Sequence, residues 1–332
     1  MLTRSPSRFA RVVLSTLSAC AALALPACGP ASTGAQGPST DVAAPSIHSF
    51  TSDQSGFDTR SYWLDTGSEV VVFDAQFTEP LAQKLVASIR ATTRSKIAWV
   101  VVTHPNPDKF NGAAVFQREG AKVVASKSTA AAIPGVHAYK KAYFVDFAKM
   151  FTADTYPPLA TVDVTFEGTT TLPLASGARV ELRELRHAGV STTQTVGWVP
   201  QAKALFVGDL VHHRAHAWLE GGIRDGAPHP DVDAWLAALD ELGAFPGATV
   251  HGGRGGIGTV EEVVPAEQRY LRTMRDVVTR YVAALPDKKA LDAADASKHW
   301  KALAALGTQA FPDYELPYMI EYGVYGLAKS IR

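Results

Sequence analysis

Apolar residues fall along this chain in two rhythms. Ile97-Ala98-Trp99-Val100-Val101-Val102 is a continuous apolar run, and Lys122-Val123-Val124-Ala125 is a second short one, so both read as buried strands. Ser61–Asp65 and Ser68–Asp74 read as two more strands joined by a Thr66-Gly67 turn. Leu81, Leu85, Val86 and Ile89 recur at helical spacing behind a Thr78-Glu79-Pro80 opening, which predicts a helix over 78–93. Another helix is expected from about Ala113. Strand and helix alternating in this order predict an α/β layered fold.

The second half begins differently. Ala138 to Met150 reads as helical and Tyr156-Pro157-Pro158 as a loop. Val162, Val164 and Phe166, then Val180, Leu182 and Leu185, show the alternation of antiparallel strands. Thr195–Val199 and Ala204–Val207 read as strands around Pro200-Gln201-Ala202-Lys203. An amphipathic helix is predicted over 231–242 and a short strand over 248–250. Three helices are predicted to follow, over 266–284, 294–306 and 316–330.

The amino terminus has the pattern of an export signal. Arg4, Arg8 and Arg11 precede an apolar stretch, Val12 to Leu25, of 14 residues, short for a membrane span and suited to a signal. Leu25-Pro26-Ala27-Cys28 resembles a bacterial lipobox, with Cys28 as the lipidated residue. Cys20 in Leu17-Ser18-Ala19-Cys20 fits locally but leaves too short an apolar region. Residues 1–27 are therefore expected to be a lipoprotein signal peptide. Residues 28–47, rich in Pro, Ala, Ser, Thr and Gly, are expected to be a flexible tether. Residues 48–260 are expected to form the main domain, with 261–332 as helices packed on it. The expected location is the bacterial cell envelope, lipid-anchored on the periplasmic side or at the outer membrane.

Charge excludes little except a nucleic-acid partner. The chain has 32 basic and 32 acidic residues, and loss of residues 1–27 leaves 29 against 32. Both cysteines, Cys20 and Cys28, lie at the amino terminus, so the folded part has no cysteine ligand and no disulfide.

Candidate chemistry gathers at strand ends, where α/β proteins place their sites. Asp74 ends one strand, and its expected role is to hold a loop. His104 and Asp108 follow the 97–102 run in Thr103-His104-Pro105-Asn106-Pro107-Asp108-Lys109. His187 opens His187-Ala188-Gly189, Asp209 sits in Gly208-Asp209-Leu210, and His251 begins His251-Gly252-Gly253. Imidazoles and carboxylates converging in this way suit zinc. His212, His213 and His216 read as a solvated cluster or pocket wall. Gly252-Gly253-Arg254-Gly255-Gly256 reads as a tight turn, and Tyr314, Tyr318, Tyr322 and Tyr325 read as helix packing.

In this order the motifs resemble those of the metallo-β-lactamase superfamily, from about Ser61 to Gly255. The resemblance implies an αββα sandwich with a C-terminal helical extension and a site holding one or two zinc ions. That family's first block reads H-x-H-x-D-H, whereas here it reads His104-x-Asn106-x-Asp108-Lys109. The implied metal ligands are His104, Asp108, His187, Asp209 and His251, with Asn106 and Lys109 as altered ligand positions. An Asn amide oxygen suits hard ions better than zinc. A Lys ammonium about 4 Å from a divalent ion is repelled by roughly 8 kcal/mol at an effective dielectric near 20. Lys109 therefore turns to solvent, loses its proton, or places its ammonium between Asp108 and Asp209; the last is the expected outcome, because it gives both carboxylates a cation.

Two functions follow from the resemblance. One is a hydrolase of ester, lactone, thioester or amide bonds with an altered metal site of at most one zinc, Asp108 or Asp209 acting as catalytic residue that orients the attacking water. The other is a metal-free pseudoenzyme, a lipid-tethered protein that binds a small molecule.

Overall fold

The computed structural model describes residues 44–332. The expected signal peptide, Cys28 and most of the expected tether lie outside the described residues. Among the described residues no helix is long and apolar enough to cross a membrane.

Two sheets, each of six strands, face one another. The first is built from β1 (Ser46–Thr51), β2 (Arg60–Asp65), β3 (Glu69–Phe73), β4 (Lys96–Val101), β5 (Lys122–Ser126) and β6 (Val164–Phe166), in that spatial order. Helix α1 (Glu79–Thr92) connects β3 to β4, and α2 (Pro107–Phe110) and α3 (Ala113–Arg118) connect β4 to β5. Both crossovers join parallel strands. Helix α4 (Lys127–Ala142) follows β5 directly.

The second sheet holds β7 (Thr169–Thr171), β8 (Glu181–Glu184), β9 (Thr195–Val199) and β10 (Ala204–His213). A small hairpin, β11 (Gly222–Arg224) with β12 (Ala227–His229), and helix α5 (Val232–Glu241) lead to β13 (Thr249–Gly255) and β14 (Gly258–Thr259). The order across this sheet is β14-β13-β10-β9-β8-β7. Helices α6 (Val260–Ala283), α7 (Ser297–Ala310) and α8 (Tyr318–Ile331) complete the chain.

Alternation in the strands explains the layering. Tyr62, Leu64, Val71, Phe73, Val101, Leu182 and Phe206 point between the sheets and form the central core. Phe73 and Phe206 stack across it at 4.1 Å. The opposite face of the first sheet carries Val70, Val72 and Val100, which pack with Leu85 and Ile89 of α1 and Phe116 of α3. The outer face of the second sheet packs on α5, α6, α7 and α8 through Leu205, Val207, Leu239, Met274, Leu303 and Ile320. The result is helices, sheet, sheet, helices, the αββα sandwich with C-terminal helices.

The expected helix over 138–150 forms earlier, over 127–142. Ser126 caps it, its hydroxyl accepting from Thr129 N, and Ile133 and Val136 are buried. Pro134-Gly135 hid this helix from the periodicity, and tertiary packing overrides them. His137 and His299 are buried; His137 Nε2 lies 2.9 Å from the Pro157 carbonyl and His299 Nδ1 lies 2.8 Å from Tyr281 Oη.

The sheet-to-sheet contact leaves no spare room at Gly197. A Cβ there would lie 2.2 Å from the Phe73 ring. Gly197→Ala is expected to lower stability by about 1–3 kcal/mol, read as a shifted denaturant midpoint with an unchanged slope.

Candidate functional site

Four buried side chains from both sheets form a ring of alternating charge. Asp108 and Lys109 come from α2, the short helix after β4, Asp209 from the middle of β10 and Arg254 from β13. The Lys109 ammonium lies 2.8 Å from Asp108 Oδ2 and 2.7 Å from Asp209 Oδ1. The Arg254 guanidinium lies 3.0 Å from Asp108 Oδ2 and 2.5 Å from Asp209 Oδ2. Each cation thus bridges both carboxylates. The Lys109 side chain is 0 % exposed, so this charge has no alternative partner in solvent.

Secondary contacts fix the ring. Arg254 also donates through Nε to the Phe57 carbonyl at 2.7 Å and through an η nitrogen to Thr59 Oγ1 at 2.8 Å. Thr59 donates to Asp108 Oδ2 at 2.8 Å. The backbone is shaped to allow this. A Cβ on Gly253 would sit 2.0 Å from Asp209 Oδ1, so only glycine lets β13 pass there. Gly208 has φ +51°, and a Cβ would meet Thr103 Oγ1 at 2.3 Å.

The charges set one another. Burial pushes the Asp108 carboxyl up, but Lys109 and Arg254 outweigh it and bring it down to about 2. Burial acts the same way on Asp209, and Arg254 and Lys109 hold it well below the usual carboxylate range. Burial lowers the Lys109 amine, and Asp108 and Asp209 more than reverse this, leaving it above its ordinary value. Both carboxylates are therefore ionised and Lys109 is protonated at neutral pH.

The other candidate residues are distributed around the ring. His104 is fully buried, its Nε2 3.8 Å from Asp209 Oδ2 and without a hydrogen-bond partner. Burial takes its pKa down to about 3, so the ring is neutral. Its Nδ1 lies 2.9 Å from Thr103 Oγ1, and Thr103 donates from N and Oγ1 to Asp74 Oδ1 at 3.0 and 2.9 Å. Asp74 has φ 68°, and burial raises its pKa to about 7. Asn106 lines the cleft described below.

Two implied ligands are not brought to the ring. His187 has a side chain 45 % exposed, and its Nδ1 lies 2.8 Å from Glu241 Oε1 on α5. The backbone N–H groups of Arg186 and His187 donate to the same carboxylate, so the loop is tied to the outside of the second sheet. His251 points into the core between the sheets, stacked on Phe206 at 4.8 Å and edge-on to Tyr62 at 5.0 Å. Burial, helped by Arg60, lowers its pKa to about 4. Among the described residues no group of three or more His, Cys, Asp or Glu side chains is placed to hold a metal ion. Of the three histidines expected to be a solvated cluster or pocket wall, His212 and His216 are 0 % exposed and His213 is half-buried, and Glu267 accepts from His212 N.

Arg254 is the residue that sequence reasoning missed. The glycine-rich segment is not a turn after a short strand but the continuation of β13 to Gly255. The signal available was charge arithmetic: two buried carboxylates, Asp108 and Asp209, with a single Lys beside them require a second cation.

A small cleft with a cavity volume of about 30 Å³ adjoins the ring. Asn106, Asp108, Asp209, Arg254 and Lys140 line it together with apolar residues that include Phe57, Trp218 and Met319. The arrangement presents a charged but electrically balanced floor to the cleft.

Replacing Arg254 with Met strips Asp108 and Asp209 of one shared cation. It is expected to cost about 3–5 kcal/mol, measured by chemical denaturation at pH 7. The ring also predicts acid sensitivity. The folded pKa values of Asp108 and Asp209 lie below their unfolded values, so the stabilisation is complete above about pH 4 and lost as pH falls toward about 2. A stability–pH curve between these limits should be steeper for the wild type than for Asp108→Asn.

Comparison with known proteins places this geometry. The family described as "Metallo-beta-lactamase superfamily" matches residues 55–254. A metallo-beta-lactamase from Pontibacter korlensis is similar in structure, with 22% identity and a TM-score of 0.51, over 68% of this chain and 94% of that one. The structure of TMB-1 aligns with 18% identity and a TM-score of 0.48, over 69% of this chain and 98% of that one. A search of the curated proteins found no match. With the matched segment covering more than half of the chain, most strands of both sheets and all four members of the charged ring, the chain belongs to the metallo-β-lactamase superfamily.

Proposed function

We propose that this protein is a metal-free member of its superfamily that binds a small molecule. Membership of the superfamily suggests hydrolysis, and its members often bind zinc. The residues present do not fit a zinc ion. A zinc ion would need the lone pairs of Asp108 and Asp209, and Asp108 Oδ2 and both Asp209 oxygens are already committed to two cations that cannot coordinate it. His187 and His251 point elsewhere, and among the described residues His104, 3.8 Å from Asp209, is the imidazole in ion-pair range of the two carboxylates. Asn106 and Lys109 stand where the family's block carries imidazoles, which supports the same reading. The single observation that carries it is that Lys109 and Arg254 each bridge both carboxylates.

The reading extends to the cell. A signal at 1–27 and lipidation at Cys28 would export the protein and tether it to the envelope, presenting it to extracytoplasmic small molecules. The supporting observation is the Arg-rich, then apolar, then Leu-Pro-Ala-Cys amino terminus.

A second reading has its own observation. His104 Nε2 is unpartnered beside Asp209, an incomplete donor set of the kind that one weakly held ion would use in an altered hydrolase. Elemental analysis of residues 29–332, purified without chelator or added metal, separates the two. The metal-free reading expects zinc, iron and manganese far below stoichiometry, and the same melting temperature with and without a chelator. A stoichiometric ion in the unaltered protein contradicts it. Asn106→His with Lys109→His and Arg254→Ala is expected to gain zinc binding, since it removes both competing cations and restores two imidazoles.

A further inference from the structure

The outer face of the second sheet carries an open groove of about 410 Å³, within the range of small-molecule sites. It shares no lining residue with the cleft beside the charged ring. Val180 and Leu182 belong to the central core between the sheets, so Glu181 and Arg183 of β8 point outward. Arg179 is bonded to Glu181 and lies with them. On the neighbouring strand β9, Trp198 stands directly opposite Glu181. Phe245 and Pro246, from the turn between α5 and β13, complete the lining, and the Phe245 ring lies 5.4 Å from the Trp198 ring.

Two cations share one anion in this groove. Arg179 lies 2.9 Å from Glu181 Oε2 and Arg183 3.0 Å from Glu181 Oε1, so the guanidiniums flank a single carboxylate. Glu181 is buried, while the side chains of Arg179 and Arg183 are 58 % and 37 % exposed. Among the described residues neither arginine has a second carboxylate partner, so one positive charge is unmatched. Each guanidinium carries five N–H donors and gives one to Glu181. Arg183 also lies over the Phe245 ring at 4.8 Å, which restricts it. Arg179 is the more exposed of the two and keeps its remaining donors for the groove. Cross-strand partners have Cβ atoms about 5 Å apart, so the indole of Trp198 and the Arg179 guanidinium both stand beside the Glu181 side chain. That spacing suits an acid whose carboxylate is one or two bonds from a ring.

We propose that this groove binds a small, ring-bearing monocarboxylate, its carboxylate taken by the free donors of Arg179 and its ring laid against Trp198. The single unmatched charge selects a single negative charge, and Glu181 between the arginines disfavours a second one. The groove is built from its own residues and does not depend on whether the charged ring holds a metal.

NMR titration of isotope-labelled protein with three probes tests this: phenylacetate, phenylacetamide (the ring without the charge) and acetate (the charge without the ring). The reporter is the Trp198 indole N–H signal, assigned by its loss in Trp198→Phe. Phenylacetate is expected to shift that signal saturably, and the other two to bind about tenfold more weakly. Arg179→Gln is expected to weaken phenylacetate to the level of phenylacetamide and to leave phenylacetamide unchanged. Either control binding as tightly as phenylacetate, no saturable shift with phenylacetate, or a folded Arg179→Gln that binds it normally would each overturn the proposal. If that variant does not fold, the ranking of the three probes on the wild type decides.

Discussion

Two carboxylates and two cations, closed into a ring with no net charge, constrain the rest of this molecule. Asp108 and Lys109 belong to the loop region of the first sheet, and Asp209 and Arg254 to the second. The ring therefore ties the sheets together at one edge, beyond the apolar contact of Phe73 on Phe206. Burying four charges is expensive, and a buried pair often contributes little net stability over apolar residues of the same shape. What it enforces is completeness, because no member can be lost without stranding a charge away from water. Gly253 and Gly208 are the backbone counterparts of that demand, each leaving space that a side chain would close.

The ring also decides what the cleft can do. Its cations are bonded to Asp108 Oδ2 and to both Asp209 oxygens, so the floor is polar and fixed. The apolar lining is supplied from several elements, including Met319 from α8. The C-terminal helices are thus part of the cleft and not an appendage. Gly326 of α8 lies so close to the Glu220 backbone that a Cβ would fall 2.1 Å from its carbonyl oxygen. That approach lets Tyr325 reach the Glu220 carboxylate behind Lys140.

The layered fold was readable because its signals are local. The apolar run at 97–102, the capped helix after Thr78 and the alternation around 180–185 each specify an element without reference to the others. Motif order then supplied the sandwich. Helix α4 was displaced in the reading because Pro134-Gly135 argues against a helix that only packing reveals. The site was partly readable: His104, Asp108, Lys109 and Asp209 do meet. His187 and His251 do not join them, because their directions depend on contacts with Glu241, Phe206 and Tyr62 that no spacing encodes. Arg254 was hidden by its glycine neighbours, which suggest a turn while in fact they let β13 pass close to Asp209 and to the backbone of β10.

The central claim is that Lys109 and Arg254 hold the positions a metal ion would otherwise take between Asp108 and Asp209. Crystals grown with zinc, with anomalous scattering recorded at the zinc edge, test it most directly. The account predicts density for the Lys109 amine within hydrogen-bond distance of both carboxylates and no anomalous peak between them. A zinc peak bridging Asp108 and Asp209, with Lys109 turned away, would contradict it.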